Sequence, residues 1–461
     1  VAELRTEVAV VGGGIAGLAT AWALAKRGLP FLLLEASERW GGVIRTDQED
    51  GFVLEAGPDA ILAQKPEGLA LCRELGLADR LVPTNPERRT VYVLHGGRLH
   101  ALPEGMVLAI PTRILPFVRS GLFSWAGKLR MGLDLAIPAR RKGGDESIAS
   151  FLRRRFGDEA VSRLGEPLLA GIHAGDPERL SIQATFPRFA ELERRHGSLI
   201  RGMLRSPRPS GPPPAVFYSL ARGLGELVEA LVARLPAASL MARQGVTRLA
   251  REGTGFVLTL AGGRRVAARS VVLAVPGPKA APLIEPLLPG VAGVVGAIPF
   301  ASSATVLLGY ARDDVAHPMD GYGMVVPQTE GLRCSALSFA STKFPGRAPE
   351  GAVLLRAFLG GVRDPEVLAL DDAALARIVR DEMAPLLGLR GEPRLRRVYR
   401  WPNGTPQMEV GHLARMAQVE AQVASLSGLF LAGAGYQGTG IPDCVADGTR
   451  SAEAAAAHVA R

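Results

Sequence analysis

Between the apolar run Glu7–Val11 (EVAVV) and the alanine-rich stretch AGLATAWALAKRG, the chain reads GGGIAG. Few folds need three glycines at that spacing in that place. Gly12 permits a tight turn out of a buried strand, Gly14 lets backbone approach a pyrophosphate, and Gly17 lets the following helix pack closely on the strand. The N-terminus of that helix, which Gly28 closes, favours phosphate charge. A second apolar run, PFLLLE, ends in Glu35, 21 residues beyond Gly14, where a carboxylate accepts both hydroxyls of an adenosine ribose. The glycine spacing alone is weak, but strand, helix and acid together predict a dinucleotide site inside a βαβ unit with a parallel sheet.

At 461 residues the chain is about three times a typical ~150-residue domain, so two or three structural units are expected. Residues 7–59 read as strand, helix, strand, a glycine-rich segment and another strand. From Asn85 to about Pro214 the pattern is helical with basic faces, ending in SPRPSGPPPA, a connection. FYSLARGLGELVEALVARL then reads as a loop feeding an amphipathic helix, and residues 245–276 as a meander whose AGG makes a hairpin turn. Strand-rich sequence continues to about Leu355, followed by a helix in DDAALARIVRDEMAPLLGL. No internal repeat is visible.

Charge and cysteine content narrow the function classes. The net charge is +9 and the pI about 9.9, with strings such as FLRRRFG that suit a nucleic acid, a membrane surface, an anionic substrate or simply solvated helix faces. No nucleic acid is expected among its partners. Cys72, Cys334 and Cys444 lie far apart without metal-ligand spacing, which suits a reducing compartment and no metal site. Strand-like sequence by Val8 leaves no room for a signal peptide, so a cytoplasmic location is expected. Pro286–Ala311 carries no charge, yet its prolines and glycines break a spanning helix and SSATVLLGY reads as a buried strand. In residues 111–133 apolar side chains and Trp125 alternate with cations as on an interfacial helix, which keeps peripheral contact with the inner face of a membrane open.

Behind Glu35 stands ASERWGGVIRT, in which Arg39, Gly41 and Gly42 complete E-x-x-x-R-x-G-G. This arrangement resembles the flavoproteins that include amine oxidases, phytoene desaturases and protoporphyrinogen oxidases. Read alone, Arg39 is a surface ion-pair partner and the glycines a hairpin turn. EPLLAGIHAGDPERLSIQATFP (166–187), ERRHGSLIRGM (193–203), GYGMVVP (321–327), RWPNGTPQMEVGH (400–412) and GYQGTGIPDC (435–444) resemble stretches of the porphyrinogen oxidases, and the likeness runs from Val8 to the last helix. The GIPDC ending and the IPTRILPFVRSGLFS segment are most similar to the Gram-positive type, which oxidises coproporphyrinogen III to coproporphyrin III. Protoporphyrinogen IX oxidases typically carry Asn where Pro442 stands.

The resemblance implies an α/β fold: a Rossmann-like FAD-binding domain of the glutathione-reductase type, a mixed-sheet substrate domain and a helical insertion. Residues 1–85, 215–282 and 405–461 would form the FAD-binding part, 283–404 the substrate-binding part, and 86–214 the helical insertion at the substrate entry. It implies FAD contacts at Gly12, Gly13, Gly14, Ile15, Ala16, Gly17, Glu35, Ala36, Arg39, Gly41, Gly42 and Val43, and at Gly57, Pro58, Asp59 and Ala60 beside the flavin ring. Val246 would meet the adenine region and Trp401 flank the flavin. Gly433, Gly438 and Gly440 would let the terminal loop, with Ile441, lie against the ring.

The implied reaction removes six electrons from a porphyrinogen in three two-electron turns of heme biosynthesis, with FAD taking hydride and O2 as acceptor giving hydrogen peroxide. No catalytic side chain is then required, only apolar walls and cations for the substrate's carboxylates. Arg89 aligns with a propionate anchor of some relatives, Gly171 lies near the flavin in them, and His173 stands where they commonly have an aromatic. Met324 and Val326 are macrocycle-facing candidates or strand core. Protoporphyrinogen IX oxidation, amine oxidation and a non-catalytic binding role on the same scaffold are the alternatives, and a downstream heme-pathway enzyme is a candidate partner.

Overall fold

The computed structural model describes residues 3–107, 109–140, 144–206 and 215–461; most of the connection expected at SPRPSGPPPA lies outside them. The first sheet forms because EVAVV and FLLL are short, fully apolar runs that bury both faces. Val8–Val11 pairs in parallel with Phe31–Leu34 on one side and with Ser270–Leu273 on the other. Leu240–Met241 extends the Phe31–Leu34 edge, Leu429–Leu431 joins Val271–Leu273 in parallel, and the meander strands Gly255–Leu260 and Val246–Glu252 pair in sequence from Arg265–Leu273. The expected hairpin turn closes at Gly263, whose N–H donates to Leu260 O at 2.8 Å.

Three helices cover one face of this sheet: Ile15–Lys26, Gly225–Arg234 and the terminal Ile441–Val459. Gly277–Ile284, Pro289–Gly296 and His412–Ala424 cover the other. The uncharged stretch 286–311 therefore splits into a short helix and the strand Phe300–Ala311, and among the described residues no helix is long and apolar enough to cross a membrane.

The second sheet runs Leu395–Pro406, Phe300–Ala311, Ala352–Gly360, Ala336–Phe339, Gly321–Val325, Thr90–His95, Arg98–Ala101. The last two strands correct the expectation that the pattern after Asn85 is helical throughout. TVYVLH and RLHA flank Gly96 and Gly97, both at positive φ, and form a hairpin whose first strand pairs in parallel with Gly321–Val325. Helix Asp372–Leu387 packs on one face of this sheet. On its opposite face lie the first unit and a helical unit built from Ile114–Arg119, Trp125–Gly132, Ile148–Phe156, Glu166–His173, Pro187–His196 and Leu199–Arg205.

Candidate active site

Three loops converge where the strand Glu3–Val11 ends. Gly12, at φ +107°, turns the chain into the helix Ile15–Lys26, and a Cβ on Gly17 would stand 1.9 Å from Gly12 O, so helix and loop are in backbone contact. Gly14 differs from its neighbours: a Cβ there would meet nothing within 4 Å. No side chain caps this helix and its first turn carries no acid, so its positive end faces open space suited to an anion. Glu35 is fixed beside it, one carboxylate oxygen accepting the Gly13 N–H and the other the Ser37 N–H, each at 2.7 Å. Gln244 N–H donates to Glu35 O at 2.7 Å, which brings Ala36 and the half-buried Val246 to the same end. These residues fit a dinucleotide: an open helix start for the pyrophosphate and an acid for the ribose.

The second loop docks on the first through Gly41 N–H, which donates to Gly13 O at 2.8 Å. Among the described residues Arg39 pairs with no surface acid. Its guanidinium donates to Trp40 O, to Ile44 O at 2.8 Å and to Gly42 O, bracing the loop from inside, and burial lowers its proton affinity. The sequence reading missed Trp40, whose ring covers the place a Gly13 Cβ would take.

The third loop, Glu55–Ala60, lies on the second: a Cβ on Gly57 would stand 1.8 Å from Val43 O, while Val43 itself is exposed. Trp401 Nε1–H donates to Ala56 O at 2.9 Å, so the ring stands fixed beside Gly57. Beneath Gly57, Pro58, Asp59 and Ala60 is a buried charge cluster that the sequence did not reveal. Lys343 donates to Asp59 at 2.7 Å; Arg356 donates to Glu55 O at 2.9 Å and to Gly57 O, and lies 3.6 Å from Asp59. Arg347, almost wholly buried, holds Ser219 Oγ and Leu220 O and faces the Glu55 carboxylate at 3.8 Å.

Burial disfavours the Asp59 charge, but Lys343 and then Arg356 outweigh it and hold the carboxyl at about 2. A carboxylate depressed on folding contributes stability above its unfolded value and loses it as pH falls through the folded one. Asp59 is thus expected to account for about 2 kcal/mol lost between about pH 5 and about pH 2. Urea unfolding of Asp59→Asn should show that much less acid sensitivity than the parent; equal slopes would reject the assignment.

The terminal segment closes the site from the other side. Gly433 N–H donates to the Asp447 carboxylate at 2.8 Å, and Gly448 packs against Ala16 O, locking the last helix onto Ile15–Lys26. Gly440 caps that helix and donates to Asp443 at 3.1 Å, while Asp443 pairs with Lys65 at 2.5 Å. Ile441, expected with the loop backbone against the ring, opens the last helix and is 7 % exposed, its side chain in the core with Ile61, Leu69 and Cys72.

The substrate-side expectations also shift. Met324 and Val326 are buried with Leu337, Phe339 and Val379 under helix Asp372–Leu387. Strand alternation puts Val325, Ala336 and Phe358 on the face toward helix Glu166–His173, where a Cβ on Gly171 would meet Ala336 at 3.1 Å. The Arg356 guanidinium lies over the Phe358 ring at 4.5 Å on this same face. Arg89 is exposed on the segment entering Thr90–His95, with its Nε donating to Pro86 O at 2.8 Å.

His173 meets Phe186 edge-on at 6.1 Å, and although part of the residue is open, burial first and Lys65 second press its imidazole down to about 4. The ring is therefore neutral near neutral pH and packs rather than pairing as a cation. His173→Phe should leave the pH profile of kcat/KM between pH 6 and pH 8 unchanged; loss of an inflection in that range would show a titrating role.

Open glycine loop, helix start, ribose acid and a second sheet facing them define a flavin-type dinucleotide oxidoreductase. The description "flavin containing amine oxidoreductase" matches residues 15–456. Coproporphyrinogen III oxidase of Bacillus subtilis (strain 168) is 37% identical over 458 residues, 96% of each chain, and chloroplastic protoporphyrinogen oxidase 1 of Arabidopsis thaliana is 32% identical over 96% of this chain and 86% of its own. A solved Exiguobacterium sp. 255-15 protein, assigned as a protoporphyrinogen oxidase, superposes with a TM-score of 0.87 at 32% identity over both full lengths. A putrescine oxidase, at 19% identity and a TM-score of 0.73, shares the fold. The chain belongs to the flavin-containing amine oxidoreductase family, in the branch that holds the coproporphyrinogen III and protoporphyrinogen oxidases. Its cofactor is FAD.

Proposed function

We propose that the protein oxidises coproporphyrinogen III to coproporphyrin III, with O2 as acceptor and hydrogen peroxide as product. The observation that carries this reading is the likeness over 96% of the chain to coproporphyrinogen III oxidase of Bacillus subtilis, and the apolar sheet face of Val325, Ala336 and Phe358, which packs toward helix Glu166–His173 and adjoins the Gly57 loop through Arg356, is consistent with it. No acid–base pair is needed because FAD, when bound, supplies hydride acceptance three times over for six electrons. The chain's task is positioning. The start of helix Ile15–Lys26 would hold the pyrophosphate and Glu35 the ribose, while the Gly57 loop, braced by Arg356 and Trp401, would support the ring.

The division into FAD-binding residues 1–85, 215–282 and 405–461 is part of this proposal. It is supported by the first sheet, which draws its strands from those three stretches. The coproporphyrinogen substrate is favoured over protoporphyrinogen by the 37% identity to the Bacillus enzyme together with Pro442, where protoporphyrinogen IX oxidases typically carry Asn.

Amine oxidation draws no support from the terminal loop. Tyr436 is 4 % exposed, its hydroxyl donating to Val275 O at 3.0 Å, so it offers no aromatic wall to an amine. Cys444 is buried with its thiol pushed up to about 12, which withholds the thiolate that a covalent flavin link would use. The test is aerobic turnover of the FAD-loaded protein with coproporphyrinogen III and protoporphyrinogen IX in parallel, read as porphyrin fluorescence against autoxidation. Faster coproporphyrin formation is expected. Preference for protoporphyrinogen would reassign the substrate, and no turnover above background would reject the proposal.

A further inference from the structure

The charges under the Gly57 loop do not balance. Lys343, Arg347 and Arg356 face two carboxylates, Glu55 and Asp59, and none of the five side chains is more than 17 % exposed. Glu226, which also acts on Arg347, is matched by Arg80 at 2.7 Å. One positive charge is therefore left over where water screens little, although buried ions ordinarily keep a partner.

Aromatic rings hold the surplus without cancelling it. The Lys343 ammonium lies 5.3 Å from the centre of the Phe344 ring and 5.8 Å from that of Phe217, while Arg347 stands 5.6 Å from the Phe344 ring and Arg356 4.5 Å over Phe358. A ring face attracts a cation but brings no net charge of its own.

The surplus is directed at one loop. Arg356 donates to Glu55 O and Gly57 O and lies 3.6 Å from Asp59, whose other cation is Lys343 at 2.7 Å. Lys343 is itself fixed at its backbone, its carbonyl accepting the Asn85 N–H at 3.0 Å. The carbonyls on the inner side of the loop are thus occupied, whereas no acceptor among the described residues takes the N–H of Asp59 or Ala60. Donors and surplus charge on one short segment favour a neighbour that is negative.

The consequence rests on the proposed function, with this loop beside the flavin ring. Each turn breaks one C–H bond of the porphyrinogen and passes its two electrons and proton to the ring as hydride. The macrocycle is oxidised and releases an N–H proton, and one negative charge is added to the ring until O2 takes the hydride and that proton as hydrogen peroxide. A fixed positive charge stabilises such an added charge without having to reorganise. We infer that the surplus cation of the cluster Glu55, Asp59, Lys343, Arg347 and Arg356 raises the reduction potential of the bound flavin, with Lys343 and Asp59 setting its size.

The midpoint potential of the FAD-loaded full chain, read against a reference dye without oxygen and without porphyrinogen, tests this. Lys343→Met removes the surplus and should lower the two-electron reduction equilibrium about tenfold, or about 30 mV. Asp59→Asn enlarges the surplus and should raise it by a similar factor, while Lys343→Arg keeps the charge and should stay near the parent. Should Asp59→Asn not fold, the two Lys343 variants decide alone. Three results would overturn the inference: an unmoved potential in Lys343→Met, a fall in Lys343→Arg as deep as in Lys343→Met, or shifts of the same sign in Lys343→Met and Asp59→Asn, as a loosened site gives. Because no porphyrinogen enters the measurement, this inference and the substrate assignment fail separately.

Discussion

Replacing Gly17 by alanine is expected to leave the protein without tightly bound FAD. Alanine in place of glycine inside a helix ordinarily gains about 1 kcal/mol. Here the new Cβ would stand 1.9 Å from Gly12 O and 3.1 Å from its carbon, both backbone atoms of the loop at the open helix start. Backbone cannot swing away as a side-chain tip does, so the helix and the glycine loop must part. Overpacking of this kind costs about 1–3 kcal/mol even where side chains can adjust, and a loss near the top of that range weakens FAD retention about 100-fold. Gly132→Ala is the control, because its Cβ would meet nothing within 4 Å, and it should be neutral or slightly stabilising. Flavin absorbance per protein after gel filtration reads both.

Arg356→Met is expected to destabilise the protein by about 3–5 kcal/mol, the usual result of removing one partner from a buried ion cluster. The guanidinium is 4 % exposed, bridges Glu55 O and Gly57 O, and helps Lys343 neutralise Asp59. Methionine keeps the apolar contact with Phe358 but leaves two carbonyls without their donor and Asp59 with one cation fewer. Arg397→Met removes a cation that pairs with Glu49 at the surface and should change stability by less than about 1 kcal/mol. Chemical denaturation of the two variants separates the cases, and similar small losses would show that the cluster under the Gly57 loop is not what holds it.

The buried cluster under the Gly57 loop also shows where the sequence stopped being readable. The glycine loop, Glu35 and the Arg39–Gly42 turn are local, and their spacing alone placed them within contact of one another. Arg356, Lys343 and Arg347 lie roughly 300 residues from the loop they hold, Arg356 on the strand Ala352–Gly360 and the other two in the short helix and connection that precede it, so their place depends on pairing across the whole second sheet. Met324 and Val326 stayed open between substrate face and strand core for a related reason: period-2 alternation tells which residues share a face, but not which face meets the substrate side. The hairpin Thr90–Ala101 was hidden because its surroundings are helical, although TVYVLH-GG-RLHA carries the alternation and the turn. Arg39 was expected as part of an FAD-binding turn, and only the folded loop shows its donors turned onto Ile44 O and Gly42 O.

The measurement that bears most directly on the account is the anaerobic reduction of the bound flavin. The FAD-loaded protein, mixed without oxygen with coproporphyrinogen III in one syringe and with putrescine or benzylamine in others, is followed at the flavin absorbance. Bleaching by the porphyrinogen together with the rise of porphyrin fluorescence, and none by the amines, is the predicted result. Bleaching by an amine with no response to coproporphyrinogen III would contradict it and return the protein to the amine-oxidising side of its family.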